Sequence, residues 1–120
     1  MILLNFLSIL FGSINFLKRY FIQNTTDEMI RHTISEKKLL MFDYNGYCRV
    51  AEPHVYGRKG CKNGMLVYQI RGQSSSGQLE WKIMYTKKMT NMRILDETFQ
   101  GMRPTFHRHR EWDLVYFIVD

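Results

Sequence analysis

The dipeptide Asn45-Gly46 lies between two runs of apolar and aromatic residues near the middle of the chain. Both residue types accept the positive φ angles that a two-residue type I′ turn requires. Asn-Gly between two such runs therefore predicts a tight antiparallel β-hairpin. Any fold of this chain has to be built around that hairpin.

The arm that follows the turn is rich in charged and planar side chains and is expected to end at Gly57. These side chains are Arg49, Glu52, His54 and Tyr56. A dense row of such groups on one strand is typical of a binding surface and less so of a catalytic centre. The hairpin thus indicates a ligand-binding function.

Length and charge limit the class of protein. A chain of 120 residues with 45% hydrophobic residues is expected to form one folded domain. Its formal net charge of +6 favours acidic partners such as nucleic acid, nucleotides or an anionic membrane surface. Two cysteines, Cys48 and Cys61, are too few for a disulfide framework and match no zinc spacing, so reduced thiols in the cytoplasm are expected.

The first 17 residues carry no charge and are followed by Lys18-Arg19. Three interpretations remain open: translated sequence upstream of a start at Met29, an amphipathic or anchoring helix, and a signal peptide. The signal peptide is disfavoured because the basic pair follows the apolar run instead of preceding it.

These observations divide the chain into two parts. Residues 1–27 are interpreted as an apolar extension, and membrane contact is expected only through residues 1–22. Residues 28–120 are predicted to form the folded domain.

Local patterns predict one short helix followed by strands. Thr26, Asp27 and Glu28 suit the start of a helix of about ten residues, because acids favour its positive end. Period-two alternation then predicts strands over residues 38–44, 50–56, 64–72, 78–86, 92–95 and 114–119. Residues 96–110, with the basic run His107–Arg110, are expected to be irregular. The fold class is therefore mainly β, a small antiparallel barrel or half-barrel with a short N-terminal helix.

An ordered set of residues within 37–99 resembles the WYL domain family, in particular its small stand-alone bacterial members. The matching residues are Phe42, Tyr44, Arg49-Val50, Glu52-Pro53-His54, Gly57, Tyr68-Gln69, Gly72, Ser74, Ser76-Gly77, Trp81-Lys82-Ile83, Ile94 and Phe99. The Trp-Tyr-Leu tripeptide that names the family is replaced by Met65-Leu66-Val67-Tyr68. The arginine-rich strand of the family reads Trp81-Lys82 here, with Lys82 as its basic candidate.

The resemblance implies an Sm-like or Src-homology-3-like β-barrel and a regulatory role in sensing a ligand. In the family, that ligand is suspected to be a nucleic acid or a nucleotide held by polar and basic side chains. A protein partner through which the signal is passed on is also expected.

Six side chains are the candidates for binding a ligand or anion: Arg49, His54, Gln69, Arg71, Ser74 and Lys82. Guanidinium and ammonium groups suit phosphate. The turn at residues 73–77, here called the serine turn, is flanked by glycines and offers hydroxyl and amide donors. Arg49, Gln69, Arg71 and Lys82 are expected to share one outward face. Each has a structural alternative, such as pairing of Arg49 with Glu52 or Asp43.

Two tyrosines, Tyr44 and Tyr56, are candidates for stacking on bases, with core packing as the alternative. Trp81 is expected in the core. No catalytic motif is recognised, so we expect no enzymatic activity, no catalytic residues, no metal site and no cofactor. A protein-interaction or structural module, with or without a membrane tether, remains the second hypothesis.

Overall fold

Asn45 and Gly46 form the predicted turn, with φ angles of 52° and 81°. The structure is a computed structural model, which describes residues 14, 15, 17, 18, 25–106 and 112–120. Most of the predicted N-terminal extension and the basic run His107–Arg110 therefore lie outside the described residues.

Six strands form one antiparallel sheet, which confirms the mainly β class. They are β1 (Lys38–Tyr44), β2 (Tyr47–Lys59), β3 (Lys62–Gly72), β4 (Trp81–Tyr85), β5 (Thr90–Thr98) and β6 (Leu114–Ile118). The order is β4-β3-β2-β1-β5, and β6 pairs with β2. Several expected bounds were wrong. β2 begins at Tyr47 and continues past Gly57, and β4 begins only at Trp81. β5 begins at Thr90 and includes residues 96–98, which were expected to be irregular.

Strand β2 organises the sheet because one of its edges serves two partners. Its first half pairs with β1, from Tyr47 to Ala51, and its second half pairs with β6, from Val55 to Arg58. Pro53 lies between these two ladders, at a register shift with β3. Proline lacks the N–H that a ladder needs, so its position at this change of partners costs no hydrogen bond.

The two ends of the sheet, β4 and β5, are connected by a short 3-10 helix, Thr86–Lys88, and the sheet is open. The phenol oxygen of Tyr44 accepts a hydrogen bond of 3.2 Å from the backbone N–H of Tyr85, next to this connection. The two ends are thus brought near the same buried side chain, although no ladder joins them among the described residues.

A helix, α1 (residues 25–35), packs on one face of the sheet, where a helix was expected. Ile30, Thr33 and Ile34 are buried, as their spacing along one helix face requires. Full burial of an isoleucine stabilises a fold by about 1.5–3 kcal/mol. The predicted boundary between residues 27 and 28 falls inside this helix. Among the described residues, no helix is long and apolar enough to cross a membrane.

The opposite face of the sheet, here called the outer face, is covered by residues 99–106, here called the strap. Trp81 was expected in the core but is half-buried on this face, beneath the strap. Nearby, the Trp112 ring lies over the facing pair Gly57 and Gly64. A Cβ at Gly57 would lie 2.9 Å from a ring carbon of Trp112, so these glycines make room for the indole.

Candidate functional site

Arg49 is buried, which corrects the expectation that it lies on an outward face. Its Nε and Nη2 donate to the Tyr44 carbonyl oxygen at 3.3 and 3.1 Å, and its Nη1 donates to Gln69 Oε1 at 3.4 Å. The guanidinium also lies 5.4 and 5.8 Å from the ring centroids of Tyr44 and Tyr47. Arg49 therefore joins the hairpin turn to β3, and pairs with neither Glu52 nor Asp43.

Gln69 is also buried and fixes the end of β3. Its side-chain nitrogen donates to the carbonyl oxygens of Arg71 and Gln73 at 3.1 and 3.2 Å. Gly72 follows with a φ of 91°, and a Cβ there would overlap the Cys48 carbonyl oxygen. This close approach requires glycine, and it directs the chain from β3 into the serine turn.

The serine turn is closed by its own hydroxyl groups. Ser74 is buried, and its Oγ donates to the Gln78 carbonyl oxygen at 3.2 Å. The 3.3 Å contact between the Oγ atoms of Ser74 and Ser76 is therefore donated by Ser76. Lys82 Nζ in turn donates to Ser76 Oγ at 3.2 Å. Lys82 retains further N–H donors at the rim of this turn.

A groove of about 530 Å³ lies beside the turn, here called the serine-turn groove. Its lining is polar and aromatic, with one exposed leucine: Tyr47, Gly72, Gln73, Ser74, Gly77 and Leu79. Arg49 and Gln69 hold two of its walls from within, through Tyr47 and Gln73. Of the six candidate residues, Ser74 lines this groove and Arg49 and Gln69 support its walls from within. Lys82 is connected to it through the hydrogen bonds from Lys82 to Ser76 and from Ser76 to Ser74.

Arg71 does not join this group. Its guanidinium pairs with the Glu97 carboxylate through two contacts of 2.8 and 3.1 Å, on the exposed outer face. Glu97 raises the pKa of Arg71, and Arg71 lowers the pKa of Glu97. The expected shared face of Arg49, Gln69, Arg71 and Lys82 is therefore not formed.

His54 lies elsewhere as well and is fully buried. Its Nδ1 lies 2.9 Å from the Glu52 carbonyl oxygen, and its Nε2 accepts the backbone N–H of Arg103 at 3.3 Å. Desolvation is the main cause that lowers the pKa of His54. The imidazole holds the strap in place and offers no donor to a ligand at the serine-turn groove.

Neither predicted stacking tyrosine presents a free ring face. Tyr44 is buried, and the guanidinium of Arg49 and the ammonium of Lys88 lie 5.4 and 5.6 Å from its ring centroid. Tyr56 is buried under α1, and its pKa is raised by desolvation and by a hydrogen bond with Asp27. Both belong to the core because the hairpin and helix pack over them.

The sequence-based selection missed Tyr47, the aromatic residue that does line the groove. The position of the Asn45-Gly46 turn in the sequence could have indicated it. A two-residue turn pairs Tyr44 with Tyr47 and Phe42 with Arg49. Counting outward from the turn would have placed Arg49 on the core face with Phe42. A second groove of about 530 Å³ is lined by the hairpin turn, Asn45 and Gly46, and by Lys88.

The described residues contain no group of three or more His, Cys, Asp or Glu that could hold a metal ion. Cys48 and Cys61 are free and exposed. No family model, curated protein or solved structure matches this chain.

Proposed function

We propose that the chain is a non-enzymatic, regulatory binding module that holds a nucleotide or a short single-stranded nucleic acid in the serine-turn groove. The observation that carries this proposal is the hydrogen-bonded row Ser74–Ser76–Lys82 at one side of a groove whose lining includes the aromatic ring of Tyr47. A cation beside hydroxyl groups suits phosphate, and an aromatic ring suits a base.

In this proposal the groove residues divide into ligand contacts and supports. Lys82 and Ser76 face the phosphate, and Tyr47 stacks on the base. Arg49 and Gln69 are supports, because their polar groups are already used inside the protein. Stacking on one aromatic side chain contributes about 1–3 kcal/mol per base.

Charge and family resemblance support the same proposal. The formal net charge of +6 attracts polyanions over the whole surface. The resemblance to the WYL domain supports a regulatory, ligand-sensing role, and the reduced cysteines expected from the sequence support a location in the cytoplasm. We propose a non-enzymatic role because no catalytic motif is recognised in the sequence.

The test is a titration of mononucleotides and of short single-stranded DNA and RNA at about 50 mM salt. Lys82→Ala should weaken binding by about 1.5–3 kcal/mol, the range for a hydrogen bond to a charged group. Arg93→Ala is the matched control, because it removes an exposed cation from β5, away from the groove lining. Equal binding by both variants and wild type would show only non-specific attraction to the net positive charge, and would contradict the proposed site.

A protein-interaction module is the second candidate, and strand β6 favours it. Its five residues, Leu114–Ile118, carry no charge, and Leu114 and Ile118 are exposed. Other chains can add strands to uncharged edge strands of this kind. One acceptor of β6, the Tyr116 carbonyl oxygen, is already occupied by a hydrogen bond from Arg31. Absence of nucleotide and nucleic-acid binding at low salt, with concentration-dependent association in sedimentation, would favour this function.

A further inference from the structure

Arg103, in the middle of the strap, is attached to two residues of β2, Glu52 and His54. The backbone N–H of Arg103 donates to His54 Nε2 at 3.3 Å. The Arg103 guanidinium donates to both carboxylate oxygens of Glu52, at 2.6 and 3.0 Å, and lies 3.9 Å from the Tyr68 ring centroid. The strap is also held where Thr105 accepts the indole N–H of Trp81 at 3.0 Å, and where the backbone N–H groups of Phe99 and Met102 donate to the carbonyl oxygens of Lys37 and Asp120 at 2.8 and 3.3 Å.

Aromatic rings of the strap enclose the imidazole of His54. Phe99 and Phe106 stack on it with centroid separations of 5.3 and 5.8 Å, and Trp81 meets it edge-on at 4.7 Å. His54 is thus surrounded by apolar rings at the point where the strap crosses β2. A charge on this ring would lie in an environment that solvates charge poorly.

The two hydrogen bonds of the imidazole fix its protonation state. Nε2 accepts the N–H of Arg103, so it carries no proton, and the single proton lies on Nδ1, which donates to the Glu52 carbonyl oxygen. Protonation would place a hydrogen on Nε2, directed at the N–H of Arg103. The hydrogen bond that holds the strap would then be replaced by two opposed donors.

We propose that His54 is a pH-sensitive latch: the neutral imidazole holds the strap on the outer face, and its protonation releases residues 99–106 while the sheet stays folded. Release would uncover Trp81 and Tyr68, which the strap now covers. This device lies outside the serine-turn groove and does not depend on the ligand proposed there.

Some of the groups that face the imidazole raise the pKa of His54 and others lower it. From β2, the backbone carbonyl and the carboxylate of Glu52 favour the imidazolium. From the strap, the Arg103 guanidinium opposes it, and a backbone hydrogen bond with Gly101 favours it. Tyr68 on β3 and Trp81 on β4 contribute neutral rings, and Val119 donates its backbone N–H to the His54 carbonyl oxygen at 2.8 Å. Desolvation outweighs these contributions and lowers the pKa of His54.

The direction of the effect follows from this lowered pKa. Once the strap is open, His54 is hydrated and titrates near its ordinary pKa of about 6.5. The open state therefore binds a proton at a higher pH than the closed state. Attachment of the strap is strongest above about pH 6.5 and weakens as the pH falls below it.

Amide hydrogen exchange of the wild-type chain at about pH 7.5 and about pH 5.0 tests the proposal, with each rate divided by that of an unprotected amide. Both pH values lie above the ordinary pKa of about 4 of carboxyl groups. The strap amides bonded outside their own turn, those of Phe99, Met102 and Arg103, are the probes. Their protection should fall by about 10- to 30-fold at the lower pH, while β2 and β3 keep theirs.

Two variants with the same substitution separate the latch from general effects of pH. His54→Gln carries no titratable group and should make strap exchange independent of pH. His32→Gln, on the exposed face of α1, should behave as wild type. If His54→Gln does not fold, the latch is tested by wild type and His32→Gln. Both should lose strap protection at about pH 5.0 while β2 and β3 keep theirs. Unchanged strap protection, or an equal loss across all strands, would overturn the latch.

Discussion

The guanidinium of Arg49 on β2 donates a hydrogen bond of 3.4 Å to the side-chain oxygen of Gln69 on β3, inside the protein. Arg49→Ala should therefore destabilise the fold by about 2–4 kcal/mol, because it leaves Tyr44 and Gln69 oxygens buried without donors. Urea denaturation measures the change. Arg93→Ala, which removes an exposed arginine, should stay within about 0.5 kcal/mol of wild type. Equal stabilities would show that Arg49 contributes no more than a surface residue.

Glycines 46 and 72 both have positive φ angles but differ in the space around them. A Cβ at Gly46 would meet no atom within 4 Å, whereas one at Gly72 would overlap the Cys48 carbonyl oxygen. Gly46→Val should cost about 1–2 kcal/mol, from backbone strain alone. Gly72→Ala should cost more, because it also requires β2 and β3 to separate. Thermal denaturation of the two variants should give this order, and the reverse order would contradict the hairpin geometry.

Glu52 and Glu97 each pair with an arginine through two hydrogen bonds, yet only Glu52 is buried. Glu52→Gln should destabilise the fold by about 1–3 kcal/mol, since it leaves Arg103 without its charged partner. Glu97→Gln should change stability little, because water screens exposed ion pairs. Comparing the free energies of unfolding tests this difference. A larger loss for Glu97→Gln would show that Arg71–Glu97, and not Arg103–Glu52, stabilises the outer face.

Asp27 connects α1 to the sheet through two partners. It pairs with Arg31 at 2.8 Å and hydrogen-bonds with Tyr56, whose pKa is raised above its ordinary value of about 10. Because this raised pKa disfavours the tyrosinate in the folded state, the stability it contributes is present below about pH 10 and lost as the pH rises further.

Asp27→Asn should lower the free energy of unfolding by about 0.5–1.5 kcal/mol at neutral pH. It should also make the loss of stability above about pH 10 smaller. Spectrophotometric titration of the tyrosines together with urea denaturation at two pH values measures both. Glu28→Gln, an adjacent exposed acid, is the control. An unchanged Tyr56 titration in Asp27→Asn would show that burial alone raises its pKa. That a chain beginning at Met29 folds independently remains a prediction. Such a chain would lack the contacts of Asp27 with Arg31 and Tyr56.

Local signals in the sequence determined the elements of this fold. Asn45-Gly46 specified its turn because few other residues accept positive φ, and the acidic residues after Thr26 marked the start of α1. Alternation with period two located the strands, since it follows from the pleat of the backbone. The charge and the serine turn likewise depend on residue type and spacing alone.

Only the tertiary structure decided which face of each strand is inside and what distant segments cover it. Period two shows that Arg49 and Ala51 share a face, but α1 makes that face the core. His54 became a buried support because residues 99–106 return over β2, about 50 positions later in the chain. Such long-range contacts depend on how the whole chain buries its apolar surface, which no local pattern records.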